Sequence, residues 1–172
     1  MLKAKPIENI NSIRELLNYD PETGVFTWAK DRKGHARAGK IAGANHGRGY
    51  RTIVVNDVEY LAHRLAWAMH YGSAPTDMQI DHINGDRKDN RISNLRIASH
   101  SDNCRNSKVR KHSKTGIKGV KKRGSKWHVR IRVQGQEIWL GSYNTPDEAR
   151  AAYNAAAEKY FGEFAESKRR PD

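Results

Sequence analysis

The chain has 172 residues and a mass of 19.6 kDa, enough for one ordinary domain or two small ones. Thirty-two Lys and Arg oppose 19 Asp and Glu, giving a formal net charge of +13 and a pI of about 10.0, a balance that favours a polyanionic partner, nucleic acid first. The single Cys104 excludes an intrachain disulfide and a cysteine-cage zinc site, and no apolar run is long enough to span a membrane. The first residues, Met1 to Pro6, lack the apolar run of a signal peptide, so a reducing, cytoplasmic setting is expected.

In chain order, Ser12 and Glu15 have capping-box spacing, and Ile10, Ile13, Leu16 and Leu17 share a face, which predicts a first helix. Asp20-Pro21-Glu22-Thr23-Gly24 is a turn. Strands are expected at Val25–Trp28, Tyr50–Val55 and Val58–Leu61, the last two joined by a tight turn at Asn56-Asp57. The Gly, Lys and Arg-rich stretch 30–49 between them reads as a loop. Ala62–Tyr71 reads as a helix stopped by Gly72. A short strand ends at Asp81-His82, Asn84-Gly85 begins a turn, and Asn94–Ala98 forms a second strand. Ser99 then caps a helix, with Asp102 at the capping-box position.

From Asn103 to Gln136 there is no acidic residue, and the polar centre of this stretch reads as a basic linker, residues 108–116. Beyond it, strands are expected at Gly119–Lys121, Trp127–Val133 and Glu137–Tyr143, with Gln134-Gly135 as the second turn. Thr145, Pro146 and Glu148 mark the start of a helix whose small alanines suit close packing on a sheet, and Gly162 ends it. The fold class is therefore α+β. It comprises a module over 1–107, the linker, a three-stranded antiparallel sheet packed on one helix over 117–166, and a tail over 167–172.

The strand–turn–strand–helix unit over 80–107 gathers polar residues suited to phosphodiester hydrolysis. A neutral histidine can take a proton from water at neutral pH, and a carboxylate with an amide oxygen suits a hard cation such as Mg²⁺ or Mn²⁺. An EF-hand reading of the stretch from Asp81 fails, because Asp86 stands where that loop needs glycine and Ile92 where it needs glutamate. His63 is balanced between packing and touching DNA. His100 is more readily a surface histidine than a ligand, and Cys104 reads as a small buried filler.

Asp81-His82, Asn84-Gly85, Asp89-Asn90-Arg91, Asn94-Leu95-Arg96 and Asn103 together resemble the HNH endonuclease motif, in the phage homing-endonuclease form with asparagine at the last position. The likeness extends upstream to His63-Arg64 and to Tyr19-Asp20-Pro21-Glu22-Thr23-Gly24. It implies a ββα-metal unit that uses one divalent cation, Mg²⁺ or Mn²⁺, held by Asp81 and Asn103. In it His82 would be the general base, and Asn94 would hold the inter-strand loop and orient His82. With a single carboxylate, such a site would bind its metal loosely until the substrate phosphate joins. The implied activity is hydrolysis of DNA phosphodiester bonds, as a nick or a double-strand break. A DNA-binding regulator with an inactive nuclease module is the alternative.

Gly116–Ala165 resembles the Apetala-two/ethylene-response-factor DNA-binding domain, through Lys118-Gly119-Val120, Lys126-Trp127, Trp139-Leu140-Gly141-Ser142-Tyr143, Thr145-Pro146-Asp147-Glu148-Ala149 and Phe161-Gly162. That resemblance implies a sheet set in the major groove, with Lys118, Lys121, Arg123, Trp127, Arg130, Arg132 and Trp139 facing DNA. Lysine at 118 and 121 lacks arginine's bidentate fork, so base specificity should be lower there. The expected partner is double-stranded DNA, with no membrane; a monomer and a dimer on DNA stay open, as does a phage origin.

Overall fold

The computed structural model describes residues 6–32, 36–106, 109 and 113–165. Residues 108 and 110–112 of the linker and the whole of the tail therefore lie outside the described residues. The chain divides into two compact units, residues 1–100 and 101–172. This boundary falls before the one expected from composition, so most of the helix after Ser99 belongs with the second unit.

In the first unit, α1 (Ile10–Arg14) is shorter than the sequence suggests, and its cap is Asn9, whose side chain accepts from the Ser12 amide. Ser12 is thus inside the helix rather than its cap. Glu15 closes the helix because Leu17 is drawn into a strand, β1 (Leu17–Tyr19), which pairs antiparallel with β2 (Phe26–Trp28). The expected loop also holds order: Ile41 bridges to Thr27, and β3 (Ala44–Asn45) joins β4 (Arg51–Val55) and β5 (Val58–Leu61) in a three-stranded sheet of order β3-β4-β5. Asn56 and Asp57 both have positive φ, at 50° and 62°, which is the two-residue hairpin geometry these residue types tolerate.

The helix α2 (Ala62–Tyr71) ends at Gly72 in the left-handed conformation, as its sequence predicts. Leu65, Ala66, Ile53, Leu17, Phe26 and Ile80 are buried in one core. Each Leu or Ile so buried stabilises the unit by roughly 1.5–3 kcal/mol. Against this core lies a two-stranded antiparallel ribbon of β6 (Gln79–His82) and β7 (Leu95–Ala98), with a 3-10 turn at Ile92–Asn94 leading into β7. Ile80 and Leu95 anchor the ribbon in the core, which fixes the ends of both strands. The helix α3 (His100–Asn106) follows directly.

In the second unit, β8 (Val120–Arg123), β9 (Lys126–Val133) and β10 (Gln136–Tyr143) form an antiparallel sheet of order β10-β9-β8, with a register shift between Trp139 and Gly141. The helix α4 (Pro146–Phe161) begins with a complete capping box between Thr145 and Glu148. Val129, Ile131, Ala149, Tyr153 and Ala157 are buried between sheet and helix. Close approach is possible because Gly119, at φ +68°, has no side chain: a Cβ there would lie 2.3 Å from the Arg130 carbonyl oxygen and 2.3 Å from the Tyr153 ring. The carbonyl of Gly119 accepts from the Arg130 amide at 2.9 Å, so the same residue ties the segment before β8 to β9.

Candidate active site

Strand alternation would separate Asp81 from His82, yet both are buried, at 6% and 4% exposure, because the ribbon's end is covered on each side. Asp81 lies directly across from Arg96 in the β6–β7 register. The guanidinium donates to Asp81 Oδ2 through Nε at 3.1 Å and Nη2 at 3.0 Å. Neither side chain is more than 10% exposed, so the pair sits where Coulomb attraction and desolvation are both strong. Arg96 was missed as a site residue by sequence reasoning, although antiparallel pairing of two four-residue strands carries the signal.

The imidazole of His82 is enclosed by aromatic rings. The His63 ring meets it edge-on with centroids 5.0 Å apart, and Tyr50 lies 6.1 Å away. Arg87 covers the other ring system, its guanidinium carbon 4.8 Å from the Tyr50 centroid, while its Nη1 donates to the Arg48 carbonyl. His82 Nε2 lies 3.4 Å from Asn90 Oδ1. Burial pushes the His82 pKa down, partly offset by the contact with Asn90 and by the Asp81 carboxylate. The imidazole is thereby kept neutral at neutral pH, the form that can accept a proton. His63 is pushed well below the ordinary value by burial and then by His82, and its Nδ1 has no hydrogen-bond partner. Of the two readings open for His63, the structure places it inside, packed on His82.

The loop from Ile83 to Arg91 is held from within. Asn94 Oδ1 accepts from the Asn84 amide at 3.0 Å, and Asn94 Nδ2 donates to the Asp89 carbonyl at 2.9 Å. The backbone adds Ile83 to Asn94 at 2.8 Å and Gly85 to His82 at 2.9 Å. Asp89 accepts from Asn84 Nδ2 and from the Arg91 guanidinium, and the Arg91 contact holds its carboxyl below the usual range. Asn94 therefore clamps the loop, whereas the side chain that touches His82 is Asn90. The turn before β2 braces the outside: Tyr19 Oη donates to the Asn90 carbonyl at 2.8 Å, and the Ile92 amide to the Pro21 carbonyl at 3.0 Å. Gly24, at φ +71°, abuts the chain so closely that a Cβ would lie 2.4 Å from the Arg91 nitrogen.

Asn103 lies on α3, in the second unit, and its pairing with Asp81 is carried by the motif alone. His100 Nδ1 lies 3.2 Å from Gln79 Nε2. Cys104 is exposed, not buried as its residue type suggested, because α3 turns that position toward solvent. No cluster of three His, Cys, Asp or Glu side chains stands ready for a metal among the described residues. The donors at hand are oxygens, one carboxylate and amides, and that set fits a hard divalent cation completed by water and phosphate rather than zinc.

On the second unit's sheet, the register places Lys121, His128 and Ser142 in one cross-strand row, Arg123 with Lys126, Arg130 with Trp139 and Arg132 with Glu137, all on the face away from α4. Arg130 pairs with Glu137 and lies 5.5 Å over the Trp139 ring, which is 50% exposed. Two residues expected on that face are elsewhere. Trp127 alternates with Val129 and Ile131, so it packs against the apolar cluster, with Lys122 over its ring. Lys118 precedes β8, and its ammonium donates to the Arg105 carbonyl at 2.7 Å.

Residues 60–105 match the family model described as HNH endonuclease. An uncharacterized HNH endonuclease of Acanthamoeba polyphaga mimivirus is 38% identical over 96 residues, 55% of this chain and 49% of that protein, so the chain spans about half the length of this relative. Protein 3.8 of Escherichia phage T7 is 28% identical over 105 residues, covering 60% of this chain and 86% of that protein. An ethylene-responsive transcription factor of Arabidopsis thaliana is 52% identical over 42 residues, 23% of this chain and 22% of that protein. A solved structure titled for DNA binding and cleavage by the HNH homing endonuclease I-HmuI aligns with a TM-score of 0.45 and 20% identity, over 90% of this chain and 82% of that one.

Proposed function

We propose that the chain is a metal-dependent endonuclease that hydrolyses DNA phosphodiester bonds, with His82 as the base that takes the proton from the attacking water. The observation that carries this reading is a buried, neutral imidazole at the end of β6, beside a carboxylate and within a segment matching an HNH family model. Asp81 and Asn103 would hold one divalent cation, Mg²⁺ or Mn²⁺; Asp81 would contribute the charge and Asn103 a neutral oxygen. When bound, such a cation neutralises charge on the phosphate and on the leaving oxygen. Asp81 is oriented by Arg96, and Asn94 keeps the loop beside His82 closed against the strands.

The second module would hold the duplex through Lys121, Arg123, Arg130, Arg132 and Trp139, the expected residues that share one sheet face. A basic sheet of this kind suits the major groove. Two weak contacts on one chain bind as one stronger contact, because the second forms at high effective concentration. A mobile-element or phage origin and action in a host cytoplasm belong to the same reading; among the described residues no helix is long and apolar enough to cross a membrane.

The test is incubation of supercoiled plasmid with the protein, in Mg²⁺ or Mn²⁺ and in EDTA, beside His82→Ala. Metal-dependent open-circle product from the unmodified protein alone is expected. Linear product would mean paired cuts. Equal cutting by His82→Ala would remove His82 from the reaction, and DNA bound but never cut would favour the regulator.

A further inference from the structure

Asn90 is 1% exposed, and each polar group of its side chain has a partner. Its Nδ2 donates to the Lys88 carbonyl at 3.1 Å, which fixes which way the amide faces. The other end, Oδ1, is an acceptor and lies 3.4 Å from His82 Nε2. An amide oxygen cannot donate, so in the neutral imidazole the nitrogen facing it must carry the proton. The lone pair of the ring then belongs to Nδ1.

The position of Asn90 is itself held from two sides. Tyr19 Oη donates to its carbonyl at 2.8 Å, and burial, then Asp20, pushes the phenol upward in pKa, so it stays a donor at any ordinary pH. Gly24 presses on the Asn90–Arg91 peptide, where a Cβ would come within 2.6 Å of the Asn90 carbonyl carbon. The Tyr19-to-Gly24 turn, which carried no chemistry in the sequence, is thus the outer wall behind Asn90. From the far side the His63 ring stops the His82 imidazole from tilting away.

We propose that Asn90 is the positioning residue for His82: it fixes the Nε2–H tautomer and so makes Nδ1 the nitrogen that receives the proton, with the Tyr19–Gly24 turn holding Asn90 in place. The proposal rests on the reading of His82 as the base, but its structural half does not. Asn94, the asparagine the motif assigns to this task, keeps both ends of its amide on the loop backbone instead.

The first measurement is the ring-nitrogen spectrum of the full chain labelled with ¹⁵N-histidine, at about pH 8 so that neutral imidazole dominates. The His82 signals are assigned by their loss in His82→Ala. A protonated Nε2 and an unprotonated Nδ1 are expected. A His82 present as the Nδ1–H tautomer overturns the proposal, whatever the enzyme does. The second measurement is cleavage. Asn90→Leu should lower kcat by roughly 10- to 100-fold, the range typical of losing a hydrogen bond that orients a functional histidine, with KM for DNA little changed. Asn90→Asp, which keeps an oxygen toward Nε2, should recover most of kcat and retain the tautomer. Unchanged kcat in Asn90→Leu overturns the proposal, as does an equal loss in both variants. If Asn90→Leu fails to fold, the unmodified protein's tautomer and Asn90→Asp decide. Cutting that persists in His82→Ala would sink the base assignment while leaving the tautomer result standing.

Discussion

Around β6, Asp81, His82 and Asn94 are exposed by only 6%, 4% and 6%, and Arg96, Asn90, Asn84 and Asp89, which hydrogen-bond to them, come from the same short stretch of chain. On the outer face of β8–β10, Trp139 is 50% exposed and the Arg130–Glu137 pair is nearly half exposed on both sides. Both regions are polar, but the first is closed and hydrogen-bonded while the second is open and exchangeable. The difference suits the two tasks proposed for these regions. A group that must accept one proton from one water gains from a fixed ring and a low dielectric. A surface that must meet phosphates gains from charges that can leave one partner for another, each released counterion adding to affinity.

The largest expected effects separate the two regions by a single methyl group each. Gly24→Ala drives a Cβ against the Arg91 nitrogen, and Gly119→Ala drives one against the Arg130 carbonyl and the Tyr153 ring. Backbone cannot step aside as a side-chain end can, and both residues have positive φ, so each variant should lose on the order of 3 kcal/mol from its own unit. In ¹H–¹⁵N spectra, Gly24→Ala should perturb the His82 ring signals and leave those of β9 unchanged. Gly119→Ala should do the reverse and weaken DNA binding. Equal damage to both sets of signals from either variant would break the contrast between two separately built units.

Acid should also act on the closed region first. His63 and His82 both have folded pKa values below the ordinary 6.5, with burial as the leading cause. A depressed value means the unfolded chain binds the proton more readily. Stability is therefore complete above pH 6.5 and falls as the pH drops from there toward the lower folded values. His63 faces His82, Arg64 and Arg87, all of which oppose a second positive charge. His63→Phe keeps the ring contact and removes an Nδ1 that has no partner, so its thermal midpoint should decline less steeply below pH 6.5. A midpoint as acid-sensitive as that of the unmodified protein would shift the cause to His82 or elsewhere.

These elements differ in how well the sequence announces them. The start of α4, the end of α2 and the Asn56-Asp57 hairpin depend on neighbours within four residues, and they stand where local rules put them. The cap of α1 moved from Ser12 to Asn9 because Leu17 is needed in a strand facing Trp28, a partner set by tertiary pairing. Order within residues 30–49 depends on Ile41 reaching Thr27 and on β3 reaching β4, again contacts made across the chain. At the site, Asp81, His82 and Asn94 were readable as a pattern. Arg96 and Asn90 stand within the same motif, but their work shows only once strand register and loop closure set them against Asp81 and His82. Trp127, which the resemblance sets facing DNA, packs inward instead, as its alternation with Val129 and Ile131 indicates.

The smallest effect tests the open region. Arg132 and Arg130 share the outer face, but Arg130 donates to Glu137 and Arg132 has no ion-pair partner among the described residues. A free guanidinium that meets a phosphate should contribute about 0.9 to the slope of log affinity against log salt. Arg132→Ala should remove about that much of the slope, read from fluorescence anisotropy with duplex DNA across salt concentrations. Arg130 must first leave Glu137, so Arg130→Ala should remove less affinity, and Glu137→Ala should raise affinity by freeing Arg130. The exposed pair itself is worth little, so these changes should not disturb folding. If Arg132→Ala and Glu137→Ala leave both slope and affinity unchanged, the outer face of β9 and β10 does not meet DNA, and the duplex must be held by other basic residues.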